Sequence, residues 1–232
     1  MHFRNVLLVA LALAAVAFSQ PNATLDTPYQ VRYAANPAAG ESYIDIVNTG
    51  ANGAPLLGPG FGGATGNICA NVYAFSPDEQ LISCCSCLIT PNGVVDLGVN
   101  RDLTIKTLTG VVPTSVVIKL VATLSAPTTA SGTNNGASAN CTNSAALVNA
   151  PPAAGQAVTQ FPQTFGMAAW GTTLHSAPGG TFATTETPFT PSTLSAGELA
   201  SITGRCSSIL GNGSGFGQCL SCRAGALGGV KK

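Results

Sequence analysis

Charge is scarce in this chain: Lys, Arg, Asp and Glu together make up 8% of its 232 residues, nine basic and nine acidic. So sparse a set builds no basic stripe, which excludes nucleic acid as a partner, because binding there rests on cations set against phosphates. Disorder is excluded too, since it combines high charge with low hydrophobicity and 45% of these residues are hydrophobic. Histidine occurs only at His2 and His175. Multi-histidine metal sites and proton relays are therefore out. A Ser–His–Asp triad would have to use His175, and no Gly-x-Ser-x-Gly elbow accompanies it. Tryptophan occurs once, at Trp170. Beyond the N-terminal run no stretch is apolar enough to span a bilayer.

What is present first is an export signal. Arg4 precedes twelve apolar residues, 6–17, and small residues at the end of the run give two cleavage patterns, Ala15 with Ala17 or Ala17 with Ser19. Twelve residues make about 18 Å of helix, short of a hydrocarbon core of about 30 Å. The reading is a cleaved signal peptide at 1–19, with cleavage after Ser19 or after Ala17. The mature chain is then expected to be secreted, to the extracellular space, the cell surface or the periplasm, with no transmembrane segment. Its formal charge is −1 once Arg4 is gone.

All eight cysteines lie beyond the signal: Cys69, Cys84, Cys85, Cys87, Cys141, Cys206, Cys219 and Cys222. An even count in an oxidising compartment points to disulfides, with no metal and no cofactor. Cys84-Cys85-Ser86-Cys87 together with Cys219-Leu220-Ser221-Cys222 has thiolate-ligand spacing, but export favours disulfides. On a strand Cys85 and Cys87 share one face and Cys84 the other, so the three should reach different partners.

Period-two alternation recurs along the first half of the mature chain. Residues 25–33 set Leu25, Thr27, Tyr29, Val31 and Tyr33 on one face, and Pro28 favours an edge position. Strands are expected at 42–48, 67–75, 80–90, 94–99 and 115–125, with a hairpin turn at Pro91-Asn92-Gly93. Six short strands without helical pattern between them read as mainly β, an antiparallel β-sandwich or barrel stapled by disulfides, over residues 20–126. Residues 127–160, rich in Thr, Ser, Ala, Asn, Gly and Pro, read as a low-complexity loop or linker pinned by Cys141. Residues 161–232 form a C-terminal segment packed on the sandwich. It holds a strand at 167–174, a Thr-rich extended run, one helix and a Cys-rich tail. Ser195-Ala196-Gly197-Glu198 fits a capping box with a Leu194/Leu199 staple. Leu199, Ile202, Cys206 and Ile209 form the inward stripe. The Gly-rich run after the helix suggests that Cys206 pairs with Cys219 or Cys222.

Candidate chemistry is thin. The carboxylates are scattered; Asp45 and Glu186 would form a hydrolytic pair only if the fold brought them together. Trp170 is either core or a sugar platform. Asp78-Glu79 after Pro77 reads as a solvated turn, and Gly211–Gly217 lacks the Lys and context of a phosphate loop.

Asp78-Glu79-Gln80 leading into Cys84-Cys85-Ser86-Cys87 and Thr90-Pro91-Asn92-Gly93 resembles a set of secreted bacterial proteins of unknown function. So do residues 169–175 and Glu186-Thr187-Pro188-Phe189 with the 194–199 cap. The resemblance implies export and this architecture; it implies no activity and carries no site residue.

The expected function is therefore a secreted structural or cell-surface protein without catalytic activity. Its partners would be itself, through an edge strand at 25–33, or an extracellular polymer. The alternatives are a carbohydrate- or peptide-binding module and, third, a hydrolase with an unrecognised carboxylate site.

Overall fold

The computed structural model describes residues 27–57, 65–125, 141, 144–149 and 161–220. The expected signal segment at 1–19, Leu25, the loop at 58–63, most of 127–160, and Cys222 lie outside the described residues.

Eleven strands are described: β1 (Tyr29–Ala35), β2 (Tyr43–Asn48), β3 (Ile68–Phe75), β4 (Leu81–Ile89), β5 (Val94–Gly98), β6 (Ser115–Leu124), β7 (Val148–Asn149), β8 (Phe161–Pro162), β9 (Met167–Ala177), β10 (Thr181–Pro188) and β11 (Thr190–Pro191). A short helix, α1 (Ser144–Leu147), precedes β7, and a long one, α2 (Ala196–Gly211), follows β11. Two antiparallel sheets form an open sandwich, not a closed barrel. Sheet A runs β11-β1-β6-β3-β4 and sheet B runs β10-β9-β2-β5. Strand β9 thus pairs with β2 inside sheet B, so the C-terminal segment completes the layer begun by the N-terminal one.

The strand pattern explains the layers. Ile44 and Ile46 of β2, Leu97 of β5 and Met167 of β9 meet Val72, Ile118 and Leu120 of sheet A, all buried between the sheets. The other face of sheet A is covered by α2, whose stripe of Leu199, Ile202, Cys206 and Ile209 packs on Tyr73, Leu81, Cys84 and Val121. Strand β3 is therefore buried on both faces along all eight residues. Beneath α2, burial and then the carboxylate of Glu198 push the Tyr29 hydroxyl up to about 12.

Local signals act as their chemistry requires. Asn92 turns the chain at φ 62, in the left-handed region that Asn tolerates. The expected hairpin is not formed: the turn carries the chain from β4, which pairs with β3 in sheet A, to β5, which pairs with β2 in sheet B. The Ser195 hydroxyl accepts the Glu198 amide at 3.1 Å and caps α2. The other half of the capping box is diverted, because Glu198 pairs with Lys119 of β6.

Strand β1 corrects two expectations. It is not an edge: it pairs with β6 along its length, and β11 covers Gln30 and Val31 on the other side. Its facing differs as well: both faces are covered, so the expected burial of Tyr29 holds but that of Tyr33 does not. Gln30, Arg32 and Ala34 are buried, Tyr29 and Val31 lie on the face under α2, and Tyr33 stands 55% exposed. Alternation gave the period, but buried polar groups with partners outweighed hydropathy. Gln30 donates to the Met167 carbonyl at 2.8 Å, and Arg32 reaches across to sheet B.

Candidate functional site

The cysteines staple this frame. Cys84 faces α2 and bonds Cys206; Cys85 faces the inter-sheet core and bonds Cys219; Cys69 bonds Cys141. Cys87 is also disulfide-bonded, so all seven described cysteines are oxidised. The expected link from Cys206 to Cys219 or Cys222 is overturned. The stripe that carries Cys206 lies flat on β4, which brings Cys84 closer than the tail, however flexible the tail is.

Outside the core, strand register gathers side chains that lie far apart in sequence onto the outer face of sheet B. Ile44 and Ile46 point inward, so Tyr43, Asp45 and Val47 point outward. The register places Asp45 directly opposite Asp96 of β5 on one side and Trp170 of β9 on the other, and Trp170 opposite Pro188 of β10. One row across the sheet thus reads Asp96, Asp45, Trp170, Pro188. The next row holds Tyr43, Thr172 and Glu186, with Thr172 hydroxyl accepting the Tyr43 amide at 2.7 Å. Tyr43 and Trp170 are diagonal neighbours, within reach of aromatic side chains on one face. Tyr43 is exposed, and Trp170 and Asp45 are half-buried.

Like charges directly opposite one another destabilise a strand pair. Arg101 relieves part of this: its guanidinium meets Asp96 at 2.7 Å and the buried Asp102 at 2.7 Å. Those two contacts, Asp102 first, hold the Arg101 guanidinium above its ordinary value. Asp45 is pushed up, first by desolvation and then by Asp96 and Glu186. Its folded form therefore holds a proton more tightly than its unfolded form, and ionising it costs stability. That cost appears as pH rises through the carboxylate range. Asp45→Asn is expected to raise the melting temperature at pH 7, with the gain shrinking as pH falls below the ordinary Asp value. Thermal melts of both chains at pH 7 and pH 3 read this directly, and a lower melting temperature for the variant at pH 7 would refute it.

Below the same patch, Arg32 crosses from sheet A. Its guanidinium donates to the Thr187 carbonyl at 2.6 Å, the Thr187 hydroxyl at 2.7 Å and the Thr173 hydroxyl at 3.0 Å, and lies 5.8 Å from the Phe189 ring centroid. Gly171 leaves room for it, since a Cβ there would lie 2.7 Å from the Arg32 Nε.

Other candidates separate. His175 is exposed on β9 and lies 2.8 Å from the Thr185 hydroxyl. Asp78 and Glu79 form the β3–β4 turn, with Glu79 at φ 65. In the 211–217 loop the Asn212 side-chain oxygen is occupied by Ser214. A shallow open depression of about 360 Å³ beside α2 is lined by Leu81, Leu108, Arg205 and Ile209, and Arg205 there donates to the Glu79 carbonyl. Among the described residues no three His, Cys, Asp or Glu side chains converge on a metal position, and no helix is long and apolar enough to cross a membrane.

Sequence reasoning singled out Asp45 with Glu186 as a possible pair, and Trp170 apart from them, and missed Asp96 and Tyr43. Alternation within 42–48 and 94–99 places each on a polar face, but only the register shows that those faces are one. The chain matches no family model, no curated protein and no solved structure.

Proposed function

We propose that the protein is a secreted binding module that takes a polysaccharide of neutral or amino sugars on the outer face of sheet B. The observation that carries this is the adjacency of Trp170, Tyr43 and Asp45 on one open face, flanked by Asp96 and Glu186. A pyranose ring presents an apolar face of C–H groups and an edge of hydroxyls. An aromatic side chain takes the first, and ionised carboxylates, which only accept hydrogen bonds, take the second. The excess of carboxylates over Arg101 disfavours acidic polymers. Disulfides and the disulfide-stapled sandwich suit an extracellular setting. The hydrolase reading asks for two carboxylates across a cleft, whereas Asp45, Asp96 and Glu186 stand on one sheet face.

The test is depletion of the mature protein from solution by insoluble β-glucan, chitin and polygalacturonate. Binding is expected to one of the first two and not to the third. Trp170→Ala should weaken it about tenfold, and Trp170→Phe should retain most of it. Equal depletion by wild type and Trp170→Ala, or preference for polygalacturonate, would refute the reading.

A further inference from the structure

Strand β10 ends sheet B, and all eight of its residues are exposed. Its inner side pairs with β9 from Thr181 to Pro188, and among the described residues no strand pairs with its outer side. An edge this long is normally blunted by lysine, an internal proline, a bulge or a cover. Here the sequence Thr-Phe-Ala-Thr-Thr-Glu-Thr-Pro holds one charge, Glu186, and its proline comes last. The pairing with β9 runs without a register shift. Moreover β2 follows β9 only as far as Gly171. Beyond it, residues 172–177 and 181–186 continue as a two-stranded ribbon whose β9 side is held by the buried Thr173 and Leu174, bonded to Tyr33, Arg32 and Asn36, while its β10 side is left without a third strand.

We infer that β10 pairs antiparallel with β10 of a second copy, about a two-fold axis through Thr184, joining two sheets B into one of eight strands. A two-fold axis normal to the sheet keeps opposed residues on the same face, so it must pass through a residue or between residues of equal parity. Centred on Thr184, it sets Thr181 against Thr187, Phe182 against Glu186 and Ala183 against Thr185. Threonine pairs across strands are favourable, and this register keeps the two Glu186 side chains apart. The strand is thus complementary to itself, which a closed homodimer requires. The Thr187 carbonyl is already taken by Arg32, so the pairing draws on the symmetric stretch 182–186. Because the axis is normal to the sheet, both outer faces point the same way, with the two Trp170 side chains roughly 30 Å apart from strand spacing and rise. The pairing does not depend on the proposed ligand, but it would present two copies of that face to one polymer.

The experiment is sedimentation velocity on the full mature chain over a concentration series, with Thr184→Lys and Thr184→Glu as variants. Thr184 is exposed on the ribbon, so both variants should keep the wild-type circular dichroism spectrum and melting temperature. Wild type is expected to dimerise. Each variant alone sets like charges together at the axis and should raise the dissociation constant by about tenfold or more. An equimolar mixture of the two should restore the dimer. A wild-type chain that stays monomeric into the millimolar range overturns the inference, whether the edge is free or covered by another segment of the same chain. So does a Thr184→Lys dimer as tight as wild type. Polymer depletion by the monomeric variants separates this outcome from that of the binding proposal.

Discussion

Replacing Cys84 and Cys206 together by alanine is expected to lower the free energy of unfolding by about 3 kcal/mol. The bond spans 122 residues, but Cys85–Cys219 spans nearly the same stretch, 134 residues. With the second bond in place, the first restricts mainly the short ring from Cys206 through Cys219 to the adjacent pair on β4. A ring of about 15 residues corresponds to about 3 kcal/mol in the chain-entropy view, well below the figure for an isolated long loop. Both sulfurs are buried under α2 beside Tyr73 and Ile202, and alanine leaves no unpaired hydroxyl there. The helix keeps its apolar stripe, so the fold should survive. Urea unfolding of both proteins without reductant measures the difference. A loss under about 1 kcal/mol would show that packing of the stripe alone holds α2 to the sheet. Removing Cys84 alone should be worse, since it leaves the Cys206 thiol unpaired beneath α2, free to exchange with other disulfides whenever the helix lifts.

Arg32→Met is expected to cost about 3 kcal/mol and to loosen the β9–β10 ribbon selectively. Three bonds from the guanidinium tie β1 of sheet A to Thr187 and Thr173 of sheet B. Hydrogen bonds to a charged group are worth more than neutral ones, and methionine keeps the aliphatic stem against Gly171 while removing them. Burial lowers the Arg32 value and the charge of the Glu186 carboxylate opposes that shift, while the Thr groups hold the cation directly. Hydrogen exchange should accelerate in residues 181–188 more than in β3, whose eight residues are buried. Uniform acceleration across both strands would mean that Arg32 supports the whole sandwich instead of anchoring the ribbon.

Strand positions were legible because each strand announces itself locally. The alternation in β6, the turn at Pro91-Asn92-Gly93 and the Ser195 cap of α2 need only neighbouring residues, and the structure has them. Mainly-β architecture with one C-terminal helix followed from those signals. Cysteine pairing was not legible. It depends on which sheet face α2 lands on, and eight cysteines give no local hint of that. The facing of β1 was misread for a related reason. Hydropathy favours Tyr33 over Arg32 as a core residue, yet Arg32 has three acceptors waiting on strands more than 140 residues away in the case of Thr173. The outer face of sheet B was half legible. Asp45, Glu186 and Trp170 each stood out by chemistry, but their adjacency, and the arrival of Asp96 and Tyr43 beside them, is a property of register.

The most direct test uses the fact that Trp170 is the only tryptophan in the chain. Its emission reports on the outer face of sheet B and on nothing else. Titration of the protein with soluble oligosaccharides derived from the polymer that depletes it should shift that emission to shorter wavelengths, with saturation, as a sugar ring displaces water from the indole. Asp45→Asn should weaken the titration without changing the starting spectrum. An acidic oligosaccharide should leave the emission unchanged. A polymer that depletes the protein while its oligosaccharides leave Trp170 emission untouched would place binding elsewhere on the molecule and contradict the account.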